Sequence, residues 1–289
     1  MNNKISRRMF LARAGLISGE IVIAGLGGYM RRRNNILMGL NLFDDAAQGG
    51  AVAWTPATAL QGVIPLCLKA DSLVAADNDP VASWTASGSL SFVGAQTTAE
   101  KKPLYKTNIL NGLPGILFDN SNDCIAGALD LSTYDKLTVF VLFSSAPGAI
   151  SMVLELGWDN EGSFNVFREA ENTVISNSIS TGYVYSNYRT ASILTTTPKL
   201  VCFTHDITLS TNCAVGWVNG VTGGTRPNNG DPSGNFANLT LNIGARGNGG
   251  YLPLNGYVFE VLLFPGVVLS DANRITVEDY IQSRWGDFL

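Results

Sequence analysis

The sequence predicts an all-β protein in which short antiparallel strands form a sandwich and one helix follows at the C-terminal end. Three observations lead to this fold class. Only 15% of the 289 residues are charged and 31 are glycine, a composition that favours sheets over helices. From residue 64 onward, short apolar runs alternate with turn signals such as DNDP, NGLPG and DNEG, as they do in sandwiches and barrels. A helical period appears only after Ser270.

Each predicted strand is a short, mostly apolar run that ends at a glycine, proline or asparagine turn signal. The predicted strands are Ile64–Leu68, Val81–Thr85, Ser89–Val93, Gly115–Asp119, Lys136–Phe143, Met152–Leu156, Ser163–Arg168, Thr173–Ser176, Gly182–Ser186, Lys199–Asp206, Ala214–Asn219, Leu239–Gly244 and Gly256–Phe264. Many short strands at close spacing are typical of a sandwich or barrel.

The single helix has clear start and stop signals. Ser270 is a good N-cap, and Asp271 suits the positive end of the helix dipole. Gly286 supplies the C-terminal stop. Apolar side chains recur on one side at helical spacing. They are Val277, Tyr280, Ile281 and Trp285.

Charge and composition divide the chain into three predicted regions. These are an N-terminal segment over residues 1–33, a linker of small and polar residues over 34–62, and a sandwich domain over 63–289. The first region holds seven basic side chains and one acidic one, which leaves 12 bases and 22 acids in the rest. An acidic body is poorly suited to a phosphate backbone, so we expect no nucleic-acid partner.

The N-terminal segment has two interpretations that the sequence leaves open. Ser6–Leu11, which contains Arg7 and Arg8, resembles the twin-arginine export signal, and the apolar stretch Ala14–Met30 follows it. This interpretation predicts a periplasmic or extracellular protein. In the second interpretation the segment is a retained arm whose small residues pack against neighbouring subunits. A translation start at Met38 would also account for the unusual segment.

Three passages in the body resemble concanavalin A-like, laminin-G-like domains. The first is the turn Trp84–Gly88, the second runs from Pro103 to Asp119, and the third is the ending LNIGARGNGGYLPLNGYVFEVLLFPGVVLSDANRITVEDYIQSRWG. The resemblance covers about residues 64–286 and implies a jelly-roll sandwich of two antiparallel sheets. The family includes lectins, glucanases, adhesion modules and virion proteins, so it defines the fold rather than the function. This sub-type is common among tailed-phage structural proteins, which adds a virion interpretation.

The residues do not form a catalytic set. Glucanases of this family carry closely spaced carboxylates on one strand face, whereas Glu155, Asp159 and Glu161 have a different spacing in a segment broken by glycine and turn residues. We interpret that segment as a strand end and a loop. His205 is the one histidine and is expected to be structural or solvated. Glu260 is expected to make a structural hydrogen bond or ion pair.

The chain has four cysteines, which are Cys67, Cys124, Cys202 and Cys213. Their spacing matches no metal site. Cys67 and Cys202 lie in apolar runs, which predicts buried free thiols. A turn centred near Leu209 places Cys213 opposite Asp206, so a disulfide with Cys202 is not expected.

No cofactor is predicted, but calcium stays open as an alternative. Asp119 and Asp123 flank a loop that resembles a calcium loop, without the glycine and glutamate that such a loop requires. Laminin-G-like domains sometimes bind calcium through loop carboxylates, which the resemblance extends to these two residues. The segment Asp77–Asp79 is a similar candidate. An Asx-rich turn is the competing interpretation for both segments.

The strongest binding signal is aromatic. Tyr183 and Tyr185 alternate along a predicted strand, and Tyr188 and Arg189 follow at its end. Aromatic faces beside arginine suit sugar stacking or a protein contact. The polar, glycine-rich loop 221–238 is of the kind that carries recognition on a rigid sandwich.

These observations predict a non-enzymatic structural or surface protein of a virion, such as a capsid decoration or tail-associated protein, that contacts glycans. Its expected partners are other virion subunits, met through the N-terminal arm in an oligomeric assembly, and surface glycans. The alternative is an exported bacterial lectin-like carbohydrate-binding protein. A glycosidase is the third alternative, disfavoured by the absent carboxylate set.

Overall fold

A computed structural model describes the body of the protein. The described residues are 66–158, 160–169, 173–180, 184–190, 197–224 and 234–286. The predictions for the segment 1–33, with Arg7 and Arg8, and for the linker 34–62 lie outside these ranges. Tyr183 and Asp159 also lie outside them.

The described residues form fifteen strands and one α-helix. The strands are β1 (Leu66–Lys69), β2 (Ser83–Thr85), β3 (Val93–Ala95), β4 (Leu104–Leu110), β5 (Leu113–Asp119), β6 (Ile125–Asp130), β7 (Lys136–Ser145), β8 (Ser151–Leu156), β9 (Phe164–Arg168), β10 (Val174–Ser180), β11 (Val184–Arg189), β12 (Lys199–Asp206), β13 (Ala214–Val218), β14 (Asn238–Ile243) and β15 (Asn255–Pro265). The helix α1 spans Asp271–Trp285.

The strands pair into two antiparallel sheets, which confirms the predicted sandwich. One sheet has eight strands in the order β11-β10-β9-β8-β14-β6-β3-β2. The other has seven strands in the order β13-β12-β7-β15-β5-β4, and β1 also pairs with β15.

Two strands, β4 and β6, were not among the predicted ones. The apolar pattern of β4 is interrupted, because its register against β5 shifts between Lys106 and Leu110. A tight turn joins β4 to β5 through Asn111 and Gly112, with φ values of 50° and 84°. Asn-Gly in this left-handed conformation is the preferred two-residue hairpin turn. The turn signal was therefore visible in the sequence, but the strand before it was not.

The inner faces of the two sheets enclose one hydrophobic core. Leu154, Phe164 and Ile243 contribute to it from the eight-stranded sheet, and Phe118 and Phe203 from the seven-stranded sheet. All five side chains are completely buried. Burial of large apolar side chains is the dominant stabilising contribution in such a sandwich.

Helix α1 begins and ends as predicted. The Ser270 side chain accepts a hydrogen bond from the backbone N–H of Asn273 at 3.4 Å, and Gly286 has the positive φ of 84° that suits a helix end. Trp285 is completely buried, and its ring meets that of Phe259 edge-on at 5.6 Å between centroids.

The helix also donates a hydrogen bond to the buried carboxylate of Glu260 on the last strand, β15. The Trp285 indole N–H donates to Glu260, which confirms the predicted structural role of this glutamate. Burial raises the pKa of Glu260 to about 7.

The prediction of free thiols is confirmed for all four cysteines. Cys202 is buried as predicted, whereas Cys67 is only partly buried. The backbone N–H of Asp206 donates to the Cys213 carbonyl at 2.8 Å, which confirms that these two residues lie opposite each other. In the part of the chain that the structure describes, no helical segment combines the length and the hydropathy that a membrane crossing requires.

Candidate functional site

A row of polar side chains crosses the eight-stranded sheet on its outer face. Strand register aligns Asn177 of β10, Asn165 of β9, Glu155 of β8 and Asn242 of β14. Sequence neighbours of these residues, such as Leu154 and Ile243, belong to the core. Because side chains alternate between the faces of a strand, the polar row faces away from the core.

An ion pair connects this row to the loop that follows β14. Glu155 is completely buried, and its Oε1 accepts a hydrogen bond from Nε of Arg246 at 2.7 Å. Arg246 is partly exposed, with 17% of its side-chain surface accessible. The carboxylate therefore holds one side of the guanidinium group, and the bond is charge-assisted.

Two aromatic rings lie beside this arginine. Trp158 follows β8 and Tyr251 follows β14, and their ring centroids are 4.9 Å apart at an interplanar angle of 56°. The guanidinium carbon of Arg246 is 5.5 Å from the centre of the Trp158 ring, within cation–π range. We refer to Trp158, Tyr251 and Arg246 together as the aromatic platform.

The platform faces solvent. Trp158 is 44% exposed and Tyr251 is 57% exposed, and they are the two exposed aromatic side chains among those that the structure describes. Gly247 lies close to both rings, since a β-carbon at that position would be 3.8 Å from each of them. Exposed aromatic rings beside a charged pair make this surface a candidate binding site.

The structure corrects the prediction that Tyr188 belongs to an exposed contact surface. Strand β11 continues to Arg189, so Tyr188 lies within the strand and its side chain enters the core, where it is 3% exposed. Its ring meets Phe203 edge-on at 6.3 Å. Its hydroxyl is 3.0 Å from Oγ1 of Thr222 and accepts a hydrogen bond from the N–H of Gly224. Tyr188 thus anchors the start of the loop 221–238 from inside.

The remaining members of that predicted cluster are described only in part. Arg189 forms a salt bridge with Glu169 through both terminal nitrogens, each 3.0 Å from a carboxylate oxygen. Tyr185 pairs with Ile179 through its backbone, and its side chain lies outside the described part of the chain. Tyr183 and most of the loop 221–238 lie outside it as well.

Asp119 and Asp123 are both used within their own turn. An Asp123 side-chain oxygen accepts the N–H of Asp119 at 3.0 Å, and an Asp119 side-chain oxygen accepts the N–H of Ser121 at 2.9 Å. Burial and the nearby Asp119 raise the pKa of Asp123 to about 6. Over the described residues, no group of three or more histidine, cysteine or acidic side chains could hold a metal ion.

His205 lies in the interior of the sandwich rather than in a solvated position. Its Nε2 is 2.7 Å from the hydroxyl of Ser176, and that hydroxyl donates to the Asn165 carbonyl at 2.7 Å. The histidine must therefore carry the proton on Nε2. Complete burial lowers its pKa to about 3, so the ring is neutral and has no access to a substrate.

The aromatic platform was missed because its members belong to two distant segments. Trp158 lies between Glu155 and Glu161, whereas Arg246 and Tyr251 lie in the C-terminal passage that resembles the family. A local signal was present, because each aromatic residue lies in a glycine-containing loop between two strands. Their proximity follows only from the pairing of β8 with β14.

Comparison with solved structures defines the fold class. The chain resembles the Trypanosoma rangeli sialidase in complex with 2,3-difluorosialic acid, with 12% identity over 83% of this chain and 35% of that chain, and a TM-score of 0.51. It also resembles the binding domain of botulinum neurotoxin DC in complex with SialylT, with 10% identity over 78% of this chain and 54% of that chain, and a TM-score of 0.50.

A third similar structure is Ruminococcus gnavus IT-sialidase CBM40 bound to α2,3-sialyllactose, with 14% identity over 60% of this chain and 96% of that chain, and a TM-score of 0.42. No family model and no curated protein matches the chain. The two antiparallel sheets and the structures with TM-scores of 0.51 and 0.50 show a jelly-roll sandwich of the concanavalin A-like fold class. At these identities the likeness shows the fold alone.

Proposed function

We propose that the protein is a non-enzymatic, lectin-like module that binds glycans at the aromatic platform. The observation that carries this proposal is the exposed pair formed by Trp158 and Tyr251, with Arg246 beside it. The apolar face of a sugar ring can stack on an aromatic ring, and sugar hydroxyls need polar partners at its edge. The platform offers both within one small surface.

Arg246 gives this surface a cationic donor. Glu155 bonds to Nε of Arg246, and a guanidinium group carries further N–H donors on its terminal nitrogens, which we propose bind an oxygen of the ligand. A guanidinium group binds a carboxylate especially well. The sialidase and the neurotoxin domain that share this fold are named in complex with sialic-acid ligands, which supports sialylated glycans as the first ligands to test.

Isothermal titration of the full chain with sialyllactose, and with lactose as the uncharged counterpart, tests the proposal. We expect binding of sialyllactose, with a loss of about tenfold or more in affinity for Trp158→Ala, because stacking and apolar burial are both removed. Ile275→Ala, at an exposed position on α1, is the matched control and should bind normally. Absence of sialyllactose binding, or full affinity in Trp158→Ala, would reject the site.

We also propose that the protein does not hydrolyse its ligand. Among the residues that the structure describes, Glu155 is the carboxylate that bonds to the platform, and it is buried and paired with Arg246, so it is neither a free base nor an acid poised to donate a proton. Incubation of purified protein with sialyllactose should release no sialic acid. Release that disappears in Glu155→Gln would show that the protein is an enzyme.

The setting in which glycans are bound is a separate part of the proposal. We propose a virion surface protein that joins other subunits through residues 1–33, on the ground that the sequence resembles a sub-type common among tailed-phage structural proteins. The alternative is export, on the ground of the segment around Arg7 and Arg8. Mass spectrometry of the mature protein separates the two, because an arm is retained whereas an export signal is removed. Replacement of Arg7 and Arg8 by Lys should block export only in the second case.

A further inference from the structure

The loop 244–252 carries two members of the platform, and Asn248 within it is held on three sides. Its N–H donates to Oδ1 of Asn242 at 3.1 Å, and its carbonyl accepts from Nζ of Lys101 at 3.1 Å. Its own Oδ1 accepts from Nε2 of Gln96 at 3.0 Å. The residue has a positive φ of 52°, which asparagine adopts more readily than other residues with side chains.

The side-chain amide of Gln96 forms hydrogen bonds through both its nitrogen and its oxygen. Gln96 is buried, with 3% of its surface exposed. Its Nε2 donates to the Cys124 carbonyl at 2.9 Å as well as to Asn248, and its Oε1 accepts from the N–H of Thr98 at 3.1 Å. Both donors and the acceptor are therefore occupied, so the amide has one orientation. A buried amide that is fully bonded is a rigid support.

The backbone of the loop 244–252 connects Asn248 to the platform residues Arg246 and Tyr251. Arg246 and Tyr251 bond to each other across the loop, with N–H to carbonyl distances of 2.8 and 3.2 Å. Gly247 and Gly249, on either side of Asn248, have positive φ values of 60° and 86°. A β-carbon on Gly249 would lie 2.1 Å from the carbonyl oxygen of Asn122. The loop therefore has little freedom once Asn248 is fixed.

We propose that Gln96 is a positioning residue that keeps the glycan site preformed by fixing Asn248. Gln96 belongs to the scaffold after β3 and acts through the loop rather than through the ligand. If the loop is already ordered, binding does not have to supply the free energy of ordering it, and affinity is higher. The binding part of this inference rests on the proposed function, whereas the positioning part concerns the free protein.

Two substitutions at Asn248 isolate the side-chain bond. Asn248→Gly keeps the positive φ and both backbone bonds and removes only the acceptor for Gln96. Asn248→Asp keeps a side-chain oxygen that can accept the hydrogen bond from Gln96. Asn212→Gly replaces another asparagine of positive φ in an exposed turn and controls for the added flexibility of glycine. Gln96→Met removes the other partner, and the Asn248 variants carry the test if that variant does not fold.

Hydrogen exchange in the ligand-free protein is the first measurement. The amides of Gly250 and Tyr251 both donate to the Arg246 carbonyl and report on the loop. We expect their exchange to rise about fivefold in Asn248→Gly, which corresponds to the loss of one hydrogen bond. Asn248→Asp and Asn212→Gly should exchange as the original protein does. Unchanged exchange in Asn248→Gly, or an equal rise in Asn248→Asp, would overturn the positioning role.

Titration with sialyllactose is the second measurement. Affinity should fall about fivefold in Asn248→Gly, with a less favourable binding entropy, because the loop must then be ordered on binding. Gln96→Met should add no further loss of affinity in the double variant, because Asn248→Gly has already removed the side-chain bond between Gln96 and the loop. If Asn248→Gly raises the exchange rate of the loop amides but leaves the affinity for sialyllactose unchanged, the proposed link between loop order and binding is wrong. If neither the original protein nor any variant binds sialyllactose, the proposed function fails. The exchange result then still decides whether Gln96 positions the loop.

Discussion

The two sheets of the sandwich use their outer faces differently. The outer face of the seven-stranded sheet is covered by α1, where Trp285 is completely buried and Arg274 lies 4.6 Å above the Trp217 ring. The outer face of the eight-stranded sheet carries the polar row, and the aromatic platform is exposed beside it. Both faces thus combine a tryptophan with an arginine. Trp217 is partly buried whereas Trp158 is 44% exposed, so the pair beside the polar row is the more accessible of the two.

The ion pairs on the two faces show the same contrast. Arg274 and Glu278, within α1, are both buried and bond to each other, so each charge has its partner inside the protein. Glu155 is equally buried, but its partner Arg246 is partly exposed. A buried pair keeps neither charge free for a ligand. The pair on the eight-stranded sheet leaves part of the Arg246 side chain accessible.

Trp285→Ala should produce the largest effect. The residue is completely buried between α1 and the sheet, and its indole N–H satisfies Glu260. Truncation of a buried aromatic side chain typically costs about 3–5 kcal/mol in unfolding free energy. Urea denaturation followed by circular dichroism measures this change. A loss below about 1 kcal/mol would show that α1 does not seal this face.

The stability of the protein should also depend on pH, because the buried carboxyl group of Glu260 lies on the sheet face that α1 covers. The pKa of Glu260 is raised to about 7 in the folded protein, above the value of about 4.3 for an exposed glutamate. The folded state therefore favours the protonated carboxyl. The contribution of Glu260 to the unfolding free energy should be greatest below about pH 4.3 and should fall as pH rises to about 7, by at most ~1.4 kcal/mol per pH unit.

Glu260→Gln removes this titration and is the matched test, because glutamine can still accept the Trp285 hydrogen bond. Denaturation curves collected from pH 4.5 to 7.5 should be flatter for the variant than for the original protein. Equal slopes would mean that the buried carboxyl does not control the pH dependence of this face.

Trp158→Ala should have the smallest effect on stability. Its ring is 44% exposed and contacts two side chains that are themselves accessible. Surface substitutions of this kind change unfolding free energy by about 0.5 kcal/mol. Urea denaturation of Trp158→Ala and Trp285→Ala under the same conditions compares the two losses of unfolding free energy directly. A loss of several kcal/mol would show that the platform is a packing element.

Much of the fold could be predicted from local signals. The turn residues divide the sandwich into its strands, and Ser270 and Gly286 mark the ends of α1. These signals act over a few residues, so a single sequence displays them. Strand β4 was missed because its register shift breaks the apolar pattern. The end of β11 was placed too early, and this error moved Tyr188 from the core to a surface.

The site could not be predicted in the same way. Trp158 and Arg246 meet because β8 and β14 are neighbours in the eight-stranded sheet. That pairing joins distant segments, and alternation along each strand then decides which side chains share a face. Composition and spacing do not contain this information. The sequence analysis therefore selected an aromatic cluster that was close in sequence rather than one that is close in space.

The claim that Trp158 contacts a glycan is tested most directly by nuclear magnetic resonance of the indole N–H groups during titration with sialyllactose. Assignments come from Trp→Phe variants, one for each tryptophan. The Trp158 signal should shift progressively and saturate, whereas the signals of the buried Trp84 and Trp285 should stay in place. Saturating shifts at Trp84 or Trp285 with none at Trp158, or no shift at any of them, would contradict the account.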